Sequence, residues 1–97
     1  RNRVVHQASC WGKIEVMGML IEAGAKPSWI NALEQTALDI AAQKKQILSA
    51  NYLLQRYSAV ELDLDRVDYW SKTALHWASQ HGLTDVVANL LKKGANV

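Results

Sequence analysis

Thr73-Ala-Leu-His-Trp-Ala78, followed by Gly82, Asp85-Val-Val87, Leu90-Leu91 and Gly94-Ala95, decides the fold, because the same order of residue types recurs along the chain. Displaced by 70 positions, Val5-His6-Gln7-Ala8 falls on Leu75-His76-Trp77-Ala78, Gly12 on Gly82, Val16 on Val86, Leu20 on Leu90 and Gly24-Ala25 on Gly94-Ala95. A middle copy lies 33 residues after the first and 37 before the third, with Leu38, Ala41, Leu53 and Leu54 in the matching places. Self-similarity at this period is the signature of a repeat architecture. The chain therefore reads as three units, approximately 1–33, 34–70 and a truncated 71–97, with about four extra residues after the second.

Each unit predicts two short helices. Thr36 and Thr73 put a hydroxyl before an apolar run, the N-cap arrangement, and Asp39 three residues on supplies half of a capping box. First helices are expected near 37–43 and 74–80. In the second helices the apolar residues recur at helical spacing: Ile14, Met17, Leu20 and Ile21, then Ile47, Ala50 and Leu54, then Val87, Leu90 and Leu91. Gly24 and Gly94 follow these helices where a left-handed C-cap favours glycine. A helix pair of this size cannot bury its own apolar face, so neighbouring pairs must stack.

These residues make the chain resemble the ankyrin-repeat family, whose unit of about 33 residues opens on Thr-Pro-Leu-His-x-Ala. The resemblance covers almost all of the 97 residues. It implies an all-α repeat solenoid of helix-turn-helix units joined by β-hairpin-like loops, with a concave face that binds other proteins. It also implies that His6 and His76 are framework residues. The departures are specific. Val4, Ala37 and Ala74 replace the proline, Asp39 replaces a histidine, and Lys45 and Tyr57 stand where the other copies have glycine. Either those two backbones take ordinary dihedrals or each carries strain of roughly 1–3 kcal/mol. Because Tyr57 precedes the extra residues, the second helix of this unit is expected to end differently and segment 58–68 to leave the hairpin shape. That segment carries Glu61, Asp63, Asp65 and Asp68 against Arg66 and is expected to be a solvated acidic loop.

Composition narrows the setting. One cysteine excludes a disulfide scaffold and suits a reducing compartment. The longest stretch without Lys, Arg, Asp or Glu is twelve residues, Thr73 to Thr84, short of the roughly 18 that span a bilayer. A net charge of +2 does not argue for nucleic acid. The expected setting is intracellular and cytoplasmic, with the nucleus compatible. Apolar patterning in the first unit and the stop at Val97 where a hairpin should begin lead us to expect an excerpt of a longer array or a multidomain protein.

No residue set points to catalysis. His6 and Cys10 are four apart, but two ligands do not complete a zinc site, and there is no phosphate loop or nucleophile elbow. Lys44-Lys45 and Lys92-Lys93 read as solvated helix ends. No cofactor, metal or nucleic acid is expected, and the module reads as monomeric. The informative residues are aromatic: four Trp and three Tyr with no Phe. Tyr69 and Trp70 fall at a loop tip, and Trp77 occupies the x of Leu-His-x-Ala, expected to be partly exposed along the groove. Trp11, Leu33, Tyr69, Trp70, Lys72, Trp77, Gln80 and His81 form the candidate strip for a protein or an extended peptide, since exposed aromatics dominate binding hot spots. Two alternatives stand beside this reading. One is a regulatory or substrate-recruiting region of a larger transferase, kinase, ligase or channel. The other is a structural adaptor with many more repeats.

Overall fold

Helix pairing follows from the caps and the apolar spacing. The computed structural model describes residues 3–96, and among them the helices are α1 (Arg3–Cys10), α2 (Ile14–Glu22), α3 (Ala37–Gln43), α4 (Ile47–Arg56), α5 (Ala59–Leu62), α6 (Ala74–Gln80) and α7 (Thr84–Lys92), with no strand. Thr36 and Thr73 cap α3 and α6 as their position before an apolar run predicts. Both capping boxes are complete: Thr36 Oγ1 accepts from the Asp39 amide while the Asp39 carboxylate accepts from the Thr36 amide, and His76 Nδ1 fills the acidic role for Thr73.

The pairs α1/α2, α3/α4 and α6/α7 stack in two layers. In the inner layer α3 lies between α1 and α6, and in the outer layer α4 lies between α2 and α7. Small residues make the inner approach close: Ala8, Ala41 and Ala78 are buried at equivalent places. Met17, Ala50, Leu53, Leu54, Val86 and Leu90 fill the space toward the outer layer. Polar side chains then clasp one pair to the next. His6 Nε2 lies 2.9 Å from the carbonyl oxygen of Gln35 and 3.0 Å from that of Trp29. Both are acceptors, so this nitrogen carries a hydrogen. Ser9 Oγ donates to the Ala37 carbonyl at 2.6 Å, Gln46 Nε2 to that of Cys10 at 3.0 Å, and Asn89 Nδ2 to Asn51 Oδ1 at 2.8 Å.

The two glycine replacements resolve in opposite ways. Lys45 keeps the left-handed backbone of its counterparts, with φ 61° against 71° at Gly12 and 67° at Gly82. Tyr57 instead takes an extended conformation at φ −124°, and α4 ends there without a left-handed cap. As expected, the chain leaves the hairpin course. Segment 58–68 is nevertheless not the solvated loop that its charge implies. Ser58 and Glu61 form a capping box that starts α5, Asp63 ends it in the left-handed region, and Leu62, Leu64 and Asp68 are buried. Glu34 and Ser71, one step before the residue ahead of each capping threonine, also take φ 60°.

Asp39, the counterpart of His6 in the middle pair, is also buried. Burial pushes its carboxyl from the usual 3.8 up to about 7; the Thr36 hydrogen bonds oppose the rise and the Asp68 charge adds to it. The folded chain therefore holds this proton more tightly than the unfolded chain. Its contribution to stability is full below about pH 4, declines as pH rises and is lost above about pH 7. Asp39→Asn, which keeps an acceptor for the Thr36 amide, is expected to raise the melting temperature by roughly 5 °C or more at pH 8 and by little at pH 4, read by thermal circular dichroism. Lys45→Gly is expected to add about 1 kcal/mol by relieving the left-handed side chain, and Gly82→Ala to remove a similar amount in the same melts.

Candidate functional site

Two hairpin-like loops carry the candidate residues, and each is closed by one side chain. Asn31 Oδ1 accepts from the amides of Leu33 and Gln35, both at 2.9 Å, and the Asn31 amide donates to the Gln35 carbonyl. In the next loop Asp68 Oδ1 accepts from the amides of Trp70 (2.9 Å) and Lys72 (3.0 Å), and the Asp68 amide donates to the Lys72 carbonyl. A carboxylate has a second oxygen, and here it is used. Asp68 Oδ2 accepts from the Trp77 indole at 2.7 Å and from Gln35 Nε2 at 3.2 Å. Burial works against this charge, but the donors from Trp77, Lys72, Gln35 and Trp70 outweigh it and hold the carboxyl below its usual range. Its stabilising effect is thus present above the ordinary carboxylate range and fades as pH falls through the lowered value.

Asp68 builds the aromatic surface from below. Trp77, 7% exposed, is buried. The expectation that it lines the groove is corrected: its indole nitrogen must reach the buried carboxylate, which draws the ring inside. Trp70 stands edge-on to it with centroids 5.8 Å apart, and Tyr69 edge-on to Trp70 at 5.5 Å. On the other side His81 stacks on Trp77 at 6.3 Å, and Lys72 Nζ lies 5.6 Å from the Trp77 ring centre. Such aromatic pairs are worth about 0.5–1.5 kcal/mol beyond area burial. The ladder therefore ends in two exposed rings, Tyr69 at 70% and Trp70 at 44%, on a rigid base. The Tyr69 amide donates to the Leu33 carbonyl at 2.9 Å and joins the two loop tips.

Beneath the tips lies an open cavity of about 410 Å³, with Leu33, Ala32 and Trp70 on the loop side and Cys10, Ile40 and Lys44 on the helix side. Six of the eight strip residues are linked by these contacts: Leu33, Tyr69, Trp70, Lys72, Trp77 and His81. Trp11 is exposed on the turn after α1, and Gln80 lines a different cavity at the far end of the stack. Asp68, like Trp77, is placed differently from the sequence expectation. The available signal was its alignment with Asn31, 37 positions earlier. Among the described residues no three His, Cys, Asp or Glu side chains gather as a metal site, and no helix is long and apolar enough to cross a membrane.

The ankyrin-repeat pattern, in three copies, matches residues 5–97. The chain belongs to the ankyrin-repeat family. Its ankyrin repeats are similar in sequence to part of a palmitoyltransferase (AKR1) of Lachancea kluyveri, at 33% identity over 96% of this chain and 13% of the relative. They also resemble part of a B-cell lymphoma 3 protein homolog of Mus musculus, at 29% identity over all of this chain and 22% of that protein. A putative E3 ubiquitin-protein ligase (XBAT31) of Arabidopsis thaliana matches at 32% identity over 94% of this chain and 19% of its own length. The chain thus spans less than a quarter of each of these relatives. The crystal structure of the human ASB11 ankyrin repeat domain superposes with a TM-score of 0.79 at 23% identity, covering 95% of this chain and 40% of that one, and shares its fold.

The division of labour between Asn31 and Asp68 is testable. Asp68→Asn keeps the turn, as Asn31 does in its own loop, but turns an amide NH₂ toward the Trp77 and Gln35 donors. The expected loss is about 1–3 kcal/mol in chemical denaturation with altered indole fluorescence, whereas Asn31→Asp changes stability by less than about 1 kcal/mol.

Proposed function

We propose that this ankyrin module binds a protein or an extended peptide along the concave face between the loop tips and the first helices, and carries no catalysis of its own. The observation that supports this most is the exposure of Trp70 and Tyr69 on a buried, fully hydrogen-bonded base. An aromatic side chain held rigid before binding loses little further freedom on complex formation, which is what an anchor requires. Trp70 and Leu33 would flank the partner's apolar segment at the cavity mouth, Tyr69 and Trp11 would extend the contact, and Lys72, Gln80 and His81 would orient it. Trp77 has a positioning role under Trp70. A stable interface covers about 800 Å² on each side, and three units can present that much.

A second reading has support from the relatives. Palmitoyltransferase and ubiquitin-ligase sequences contain regions similar to this one, so the module would recruit a substrate or regulator for a catalytic region elsewhere in a longer polypeptide. Deleting the module from such a protein would then lower turnover of a protein substrate without changing turnover of a short acceptor peptide.

The main reading predicts that Tyr69→Ala with Trp70→Ala weakens a partner identified by affinity capture at least tenfold in calorimetric titration, about 1.4 kcal/mol, while the melt stays nearly unchanged. Unaltered binding to a partner mapped to the concave face would sink it. Trp77→Ala, by contrast, is expected to lower the melt as well.

A further inference from the structure

The cavity under the loop tips is uneven in its chemistry. Of the side chains around its roughly 410 Å³, Ala32, Leu33, Ile40 and Trp70 give an apolar wall, while Gln43 and Lys44 stand together at the end of α3. No carboxylate lines it. The helices α1 and α6 contain no acidic residue and the one in α3, Asp39, is buried, whereas Glu15, Glu22 and Asp85 lie on the outer helices and Glu61, Asp63 and Asp65 on or just after α5. The remaining two acids are Glu34, exposed in the loop before α3, and Asp68, whose buried charge is already met by four donors.

Asp68 also decides what the polar end of the cavity offers. As an ionised carboxylate it can only accept, so the group of Gln35 that meets Oδ2 at 3.2 Å is the NH₂. The same Nε2 lies 2.9 Å from Gln43, and with its second hydrogen it donates there to Oε1. Gln43 is thereby fixed with its own NH₂ unused, since Nε2 takes no partner among the described residues. Lys44 Nζ has neither an ion pair nor an aromatic ring beneath it among them. Two unspent donors, one of them charged, therefore stand beside an apolar wall. A cation is favoured at a helix C-terminus, and Lys44 caps α3, yet Trp11 and His81 hold the same place in the other units, so the fold does not require a charge there.

We propose that this groove selects an extended peptide in which an aspartate or glutamate lies within two residues of a large apolar side chain. The apolar side chain enters between Leu33, Ile40 and Trp70, and the carboxylate accepts from Lys44 Nζ and Gln43 Nε2. Alternate residues of an extended chain share a face, which brings both groups to the same side. Lys72, with Nζ 5.6 Å from the centre of the Trp77 ring that supports Trp70, adds a second positive charge. The assignment rests on the groove binding proposed above and adds the partner's charge and the residues that read it.

The test selects a library of random dodecapeptides on the full 97-residue chain and measures the enriched peptides by fluorescence anisotropy. The expected consensus pairs Asp or Glu with a large apolar residue within two positions, and scrambled peptides of the same composition bind roughly tenfold more weakly. Lys44→Glu is expected to weaken the selected peptides about tenfold or more and to favour versions with Lys in place of the acid. Lys44→Gln, which brings no negative charge to the helix end, gives a smaller loss with the melt unchanged. Gln43→Glu keeps the acceptor for Gln35 but replaces the free NH₂ by a second acceptor, so it weakens binding while the melt is retained. A consensus without acids, equal binding of the scrambled peptides, or full binding by Lys44→Glu when Trp70→Ala has lost it would overturn the charge assignment and leave the groove reading standing. Absence of any enriched peptide, or full binding by every variant including Trp70→Ala, would overturn both.

Discussion

Everything in this structure depends on the approach of consecutive first helices through Ala8, Ala41 and Ala78. None of these residues has a side chain beyond Cβ, so α1, α3 and α6 pack closely enough for serine and histidine side chains of one pair to reach main-chain carbonyls of the next. Stacking supplies the apolar burial that no single pair can make. The clasps set the register in which burial occurs. A larger residue at Ala8 or Ala41 is expected to push α1 and α3 apart and loosen the His6 and Ser9 bonds together.

The aromatic surface is a by-product of the same register. Asp68 closes its own loop with one oxygen and reaches across the stack to Gln35 and Trp77 with the other. One buried charge therefore fixes a loop tip, the neighbouring loop and the ring beneath them. Four donors around a single carboxylate satisfy the requirement that a buried ion be fully hydrogen-bonded. Asp39, a short way off and lacking comparable donors, is driven toward its neutral form instead. Two aspartates thus hold opposite protonation tendencies: burial dominates at Asp39, and the combined donors outweigh burial at Asp68.

Most of the architecture was legible in the sequence because periodicity is a property of the chain itself. The caps at Thr36 and Thr73, the paired helices and the altered end of α4 at Tyr57 all followed from comparing copies. The site was legible only in part. Tyr69, Trp70 and Leu33 could be placed at tips from their distance to the capping threonine. The burial of Trp77 could not, since it depends on a carboxylate nine positions away whose second oxygen has a use only in three dimensions. Asp68 looked like one more charge in an acidic run, and composition carries no information on which member of a run turns inward. Leu62 and Leu64 were obscured in the same way, by the charges that flank them.

The short helix α5 has a consequence for how such a chain changes over generations. It lies between the end of α4 and the Asp68 loop, begun by the Ser58–Glu61 box and ended by Asp63, with Val60 at its most exposed point. The extra residues of the middle unit are absorbed there, upstream of the turn that sets Tyr69 and Trp70. Residues gained or lost at this point alter the outer edge of the solenoid while the spacing of the concave side stays fixed. Length changes are therefore best tolerated at the exposed Val60 end of α5, since Leu62 and Leu64 behind it are held in the core.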